Sequence, residues 1–277
     1  MGMANDYRAT IYGRPATVRA KLSLFDNHIA PYARPQQLQL FVDRIMKHWK
    51  EAELSAGTIK TLFCILKDFV KFAWQQDLDT KRLNFIHFGD RVKPQNKIKA
   101  WTKEQAKIAL IEAWDVSDPE FYYLMAVALG TGMRRGEIFA LTWGDINFLS
   151  GDITISKSLD LDTGEVGPTK TKQTRTIQMS DKVAKIFSEC YTPGSKDGDR
   201  CFKAFNPNQK LKSLCRAHGL PILSFHDLRH TFATTCLEKG LSPKWVSSTL
   251  GHAKLSTTFD VYWQSFQQKE NMEDLYE

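Results

Sequence analysis

The sequence predicts a mainly α-helical protein with a small antiparallel β-sheet: a helical N-terminal bundle followed by an α+β domain. Three observations carry this. From Thr17 to about Gly89 apolar residues recur at helical intervals with short breaks between runs. Between residues 146 and 179 the period shortens to two, with turn residues between the runs. From Ser180 onward helical spacing returns, punctuated by caps, Gly and Pro. Arg91 to Ala100, RVKPQNKIKA, has a proline, four basic residues and no apolar rhythm, and reads as a linker. The expected organisation is therefore a helical domain at 1–90, a linker at 91–100 and a second domain at 101–277.

In the first domain, Leu22, Phe25 and Ile29 space out a first helix that Pro31 breaks. Pro35 starts a second, striped by Leu38, Phe41, Ile45 and Trp49. Ser55 to Thr58 is a break and cap before a third helix with Ile59, Leu62, Leu66, Phe69 and Ala73. These stripes read as core, with Lys60, Lys67, Lys71 and Arg82 exposed or trailing. In the second domain, Thr102 and Gln105 form a capping box for a helix through Trp114, and Asp118-Pro119 starts one through Leu129. Ile153 and Ile155 alternate with polar residues, Asp162 to Gly167 is turn chemistry, and Thr174 to Met179 alternates again, which gives the sheet. Its last hairpin carries Lys170 and Lys172. Ser180 caps a further helix, and another holds Leu211, Leu214 and Cys215.

Whole-chain properties narrow the class. No apolar run approaches the ~18 residues of a membrane span. The N-terminus has no charged-then-apolar leader, so a cytoplasmic protein is expected. Five cysteines, without a C-x-x-C pair, read as free thiols in a reducing compartment. The net charge is +7, yet residues 1–99 hold 17 Lys+Arg against 9 Asp+Glu, while the remainder is close to neutral. That basic excess is either a solvated surface or a grip on nucleic acid. No glycine-rich phosphate loop or acidic metal cluster is present.

Chemistry-bearing residues gather at two places. In GTGMRRGEIFALTWGDI, residues 130–146, two glycines make a tight passage before Arg134, and Glu137 stands one helical turn on. In Ser224 to Tyr262, Ser224 and Asp227 open a helix whose core face is Phe225, Leu228, Phe232 and Cys236. His226 and Arg229 lie along the edge of that face, projecting from one side. Gly240 ends the helix, Ser242-Pro243 starts the next, and Leu250-Gly251 stops it just before His252. Thr257 and Asp260 open a third helix that carries Tyr262. A tyrosine hydroxyl is only about a thousandth ionised at neutral pH, so as a nucleophile it needs a base or a cationic site. Guanidinium groups fork onto non-bridging phosphate oxygens, and neutral imidazoles exchange protons nearby. The set suits phosphoryl transfer through a covalent phosphotyrosine.

The motif T-G-(L/M)-R-x-x-E-(L/I)-x-x-L-x-W-x-D-I, followed by H-x-x-R, L-G-H and a tyrosine ten residues later, resembles the tyrosine recombinase (phage integrase) family. The resemblance is strong from 130 to 262 and rests on pattern alone in the first hundred residues, which look like a core-DNA-binding domain. It implies a site-specific DNA recombinase that integrates or excises a mobile element. Arg134, Lys170, His226, Arg229, His252 and Tyr262 would be catalytic, with Glu137 holding a guanidinium or a histidine. The K-T-K-Q-T spacing at 170–174 favours Lys170 as the family's lysine, with Lys172 the runner-up. No cofactor or metal is implied. The implied partners are double-stranded DNA and further copies of the chain, as a tetramer on two DNA sites, together with accessory DNA-bending or directionality factors. The C-terminal tail, with Trp263 and Phe266, docks on a neighbour or folds back. The alternative is a non-enzymatic DNA-binding protein derived from a recombinase.

Overall fold

The computed structural model describes residues 2–13, 15–33, 38–76, 99–115, 118–171 and 173–252. The chain divides into two compact units, Met1–Asn96 and Lys97–Glu277. All but the last two residues of the linker reading, and all of Tyr262 and the tail, lie outside the described residues. Among the described residues, no helix is long and apolar enough to cross a membrane.

The first unit consists of α1 (Gly2–Thr10), α2 (Pro15–His28), α3 (Leu38–Glu51) and α4 (Ala56–Gln76), with a 3-10 turn at Ala30–Tyr32. Helix α1 precedes the first helix that periodicity predicts. It has no long apolar stripe, and Tyr7 docks it: the ring lies 4.9 Å from Phe25 and 5.1 Å from Phe69, and the hydroxyl donates to the Ile65 carbonyl at 3.2 Å. Most of each expected stripe is core. Phe25 of α2 and Ile29 just after it, Phe41, Ile45 and Trp49 of α3, and Leu62, Leu66 and Phe69 of α4 are all buried, whereas Leu22 is half-buried. Lys60, Lys67 and Lys71 stay exposed along one side of α4.

Near the start of the second unit, the Trp101 indole N–H donates to the Pro221 carbonyl at 2.9 Å and its backbone N–H donates to Thr231 Oγ1 at 3.1 Å. Thr102 and Gln105 form the expected reciprocal cap of α5 (Lys103–Asp115), at 3.0 and 3.2 Å. Asp118 caps α6 (Pro119–Thr131) by accepting from the Phe121 N–H. Helix α6 is the spine of this unit and packs against α5, α8 (Asp181–Cys190) and α10 (Asp227–Glu238). The short helix α7 (Arg135–Ala140) follows α6. Helix α9 (Asn208–Ala217) leads toward α10, and α11 (Pro243–Leu250) comes last among the described elements.

The β-structure is two small sheets rather than one. Strands β1 (Ile146–Asn147), β2 (Asp152–Ile155) and β5 (Arg175–Gln178) pair antiparallel in the order β1-β2-β5, with Ile153 opposite Ile177 and Ile155 opposite Arg175. Strands β3 (Lys157–Leu159) and β4 (Val166–Pro168) form a separate pair. The hairpin expected to carry Lys170 is present as two successive antiparallel pairs, β3 with β4 nested inside β2 with β5, and Lys170 is on its returning arm. It lies on the connection between β4 and β5, which crosses from one sheet to the other. Thr169 Oγ1 donates to the Gln173 carbonyl at 3.0 Å across that connection.

The end of α6 requires a particular residue. Gly132 caps it in the left-handed region, φ +65°, and a Cβ there would come within 2.4 Å of Phe232 and 2.6 Å of Leu250. The absent side chain is what lets α10 and α11 close over α6. Gly132→Ala should destabilise this unit by about 2–4 kcal/mol, combining backbone strain with overpacking. Gly219→Ala, at φ +64° with nothing within 4 Å of the added atom, should cost only about 1–2 kcal/mol. Denaturant melts of the two variants compare them directly, and equal losses would show that the crowding is relieved by small shifts.

Candidate active site

The site is built where three helix ends and one strand start converge. Arg134 precedes α7 in an extended conformation, and its backbone N–H donates to Glu137 Oε2 at 2.9 Å. The Glu137 carboxylate, with its side chain only 1% exposed, also accepts Arg134 Nη1 on Oε1 at 2.8 Å. The expected pairing of Arg134 with Glu137 is present, but it is half of a larger arrangement. Arg175, at the start of β5, forks onto the same carboxylate, with Nη2 to Oε2 at 2.7 Å and Nη1 to Oε1 at 3.1 Å. Burial pushes the Glu137 pKa up, and the hydrogen bonds and charges of Arg175 and Arg134 more than offset that, leaving it below the usual carboxylate range.

The same two arginines, with Arg229, hold the end of α11. Arg175 Nε donates to the Thr249 carbonyl at 2.8 Å, Arg229 Nη2 to the Leu250 carbonyl at 2.7 Å, and Arg134 Nη2 to the Gly251 carbonyl at 3.1 Å. Three consecutive carbonyls that a helix end leaves without intrahelical partners are thus each met by a guanidinium. Gly251 closes the helix in the left-handed region, φ +65°, and turns the chain so that His252 follows directly.

Arg229 departs from the sequence reading. It does not project from an edge of α10 but is buried, at 3% exposure, with Nη1 also donating to the Gly132 carbonyl at 2.9 Å. The ends of α6 and α11 cover it, and neither is near it in sequence. Burial, and next Arg134, pull its pKa down to about 9, which leaves it charged at neutral pH. His226 remains exposed as a residue, yet its imidazole is crowded by protein. That desolvation, with His230 and Arg229, pulls its pKa down to about 4. His252 is lowered to about 4 as well, by burial first and then by Arg229 and Arg134. Both rings are therefore neutral at pH 7.

The structure brings together Arg134, Glu137, His226, Arg229 and His252. Lys170 is exposed on the β4–β5 connection, and Lys172 and Tyr262 lie outside the described residues. Two residues were not singled out from the sequence. His230, four residues after His226, meets its ring edge-on at 5.4 Å. Arg175 shares strand parity with the buried Ile177, so a charge on the inward face of β5 was the available signal.

Comparison with known proteins agrees with this architecture. The phage integrase family model matches residues 101–269. The ICEBs1 integrase of Bacillus subtilis is 25% identical, over 94% of this chain and 77% of that protein. A XerC-like tyrosine recombinase of Caldanaerobacter subterraneus is also 25% identical, over 82% of this chain and 66% of that protein, just under two thirds of its length. The Tn1549 transposon integrase, solved in complex with a circular intermediate DNA, has the same fold, with a TM-score of 0.74 at 20% identity over 94% of this chain and 93% of that one. The fold is shared with enzymes that break and rejoin DNA. The chain belongs to the phage integrase family, the tyrosine recombinases.

The lowered histidine pKa values make a stability prediction. The unfolded chain takes up protons on these rings near pH 6.5, whereas the folded chain resists protonation until about pH 4. The unfolded state thus binds more protons in between, so this contribution is intact above about pH 6.5 and is lost as the pH falls toward about 4. The melting temperature should drop across this window. The double variant His226→Gln, His252→Asn should show a shallower drop, and an unchanged slope would place its origin elsewhere.

Proposed function

We propose that this chain carries out site-specific strand exchange on duplex DNA through a 3′-phosphotyrosyl intermediate, integrating or excising a mobile element. The observation that carries the reading is the meeting of two arginines and two neutral histidines at the end of α11. In the proposed mechanism the Tyr262 hydroxyl oxygen attacks the scissile phosphorus, with His226 assisting removal of its proton. Arg134 and Arg229 bind the non-bridging oxygens and bind them more strongly as negative charge builds. His252 hydrogen-bonds the phosphate. Lys170 gives its proton to the departing 5′ oxygen, leaving a free 5′-hydroxyl and a phosphotyrosyl bond. The 5′-hydroxyl of a partner strand reverses the step, so the bond energy is conserved without a high-energy cofactor.

The 1–90 segment acts as the second half of the DNA grip, a role supported by its basic excess and by the exposed Lys60, Lys67 and Lys71 on α4. Recombination then takes place in a tetramer on two DNA sites, with the tail after Tyr262 contributing to synapsis. The likeness to an integrase and to a transposon integrase solved with DNA supports the choice of substrate.

Covalent trapping tests the reading. The protein is incubated in EDTA with nicked duplexes taken from the DNA flanking its gene, quenched in SDS and examined for an adduct. An adduct should form with the native chain and be absent with Tyr262→Phe. Arg134→Ala and Arg229→Ala should each slow its formation by about 10²- to 10³-fold. Lys170→Ala should slow it by about 10²- to 10⁴-fold, with Lys172→Ala far milder. Binding without any adduct would favour a protein that has kept only the DNA grip.

A further inference from the structure

Arg175 is a largely buried charge in the site that the proposed chemistry leaves without a role. Its side chain is 11% exposed, and its guanidinium spends three donors in one plane: two on Glu137 and one on the Thr249 carbonyl. A lysine could supply the charge but not this fork, since its ammonium is a point charge with rotating donors. Glu137 in turn holds Arg134 twice, through the backbone N–H and Nη1. Arg134 is therefore positioned by a carboxylate that is itself positioned by Arg175. Both arginines also bond carbonyls of the same helix end, at Thr249 and Gly251, on either side of the carbonyl that Arg229 holds.

We propose that Arg175 is a positioning residue for strand cleavage: by forking onto Glu137 and bonding the Thr249 carbonyl, it fixes the Arg134 guanidinium and the α11 end that carries His252 in the orientation that meets the scissile phosphate. Without it, Glu137 keeps Arg134 as its remaining cation. The carboxylate is then free to rotate and to draw both N–H faces of Arg134 to itself, away from the substrate. The effect passes through Arg134, so it should have the chemical signature of Arg134. The inference rests on the reading above that Arg134 receives the phosphate.

The test compares the native chain, Arg175→Lys, Arg175→Ala and Arg134→Ala in single-turnover cleavage. The duplex is the one on which the covalent adduct maps, made with either a normal phosphodiester or a methylphosphonate at the scissile position. A methylphosphonate replaces one charged oxygen with a methyl group, so a guanidinium that neutralises that oxygen is needed less. On the phosphodiester, Arg175→Lys should lose about 10- to 10²-fold in rate, with DNA affinity changed only a few-fold. On the methylphosphonate the loss should shrink to a few-fold, in parallel with Arg134→Ala. If Arg175→Ala fails to fold, Arg175→Lys carries the comparison. Equal losses on both substrates, or no loss on either, would overturn the proposal. If Arg134→Ala itself shows no dependence on substrate charge, the reading of Arg134 fails and this inference with it; if Arg134→Ala shows it and Arg175→Lys does not, the inference alone fails.

Discussion

A single buried carboxylate organises the second unit. Glu137 is almost fully enclosed, and an isolated carboxylate in such a place would be strongly unfavourable. It is tolerated because four N–H donors from two arginines saturate its oxygens. Those arginines come from the start of α7 and the start of β5, and their remaining contacts reach the end of α11. The ion thus ties together three elements that hydrophobic packing alone would leave free to slide. Removing one partner of such a buried pair typically costs about 3–5 kcal/mol, so the arrangement is demanding as well as cohesive.

Packing sets the stage for this ion. Helix α6 is buried through Phe121, Leu124, Met125, Val127 and Ala128 and supports α5, α8 and α10. Its end at Gly132 lies under Phe232 and Leu250, which belong to the small cluster joining α10 to α11. The Gly132 carbonyl then receives Arg229. One short passage of chain therefore fixes both the apolar contact that seats α11 and a polar contact that aims an arginine. Two residues later Arg134 leaves the same passage toward Glu137.

Much of this was legible in the sequence where the governing forces are local. The helical stripes of α2, α3 and α4, the caps of α5 and α6, and the pairing of Arg134 with Glu137 all depend on residues within a turn or two of each other. What sequence reading misplaced depends on distant chain. Arg229 looked like an edge residue because nothing near it reveals that α6 and α11 end over it. Arg175 was passed over because its carboxylate lies 38 residues earlier, although its place on the inward face of β5 marked a buried charge in need of a partner. Helix α1 escaped because one docked tyrosine, not a periodic stripe, holds it. The hairpin that carries Lys170 is legible from its alternation, but its division into two sheets is not, because alternation shows strands and not which strands pair.

The guanidinium contacts at the helix ends also set the charge balance of the site. Arg134, Arg175 and Arg229 crowd three positive charges together, and Glu137 cancels one. The carbonyl ends of α6 and α11 each act as about half a negative charge, and together they cancel roughly one more. The N-terminal ends of α7 and α10 lie at the same site and act in the opposite sense, so the cluster stays positive, as suits an anionic phosphodiester. The protein without DNA is nonetheless spared the full repulsion of three adjacent cations.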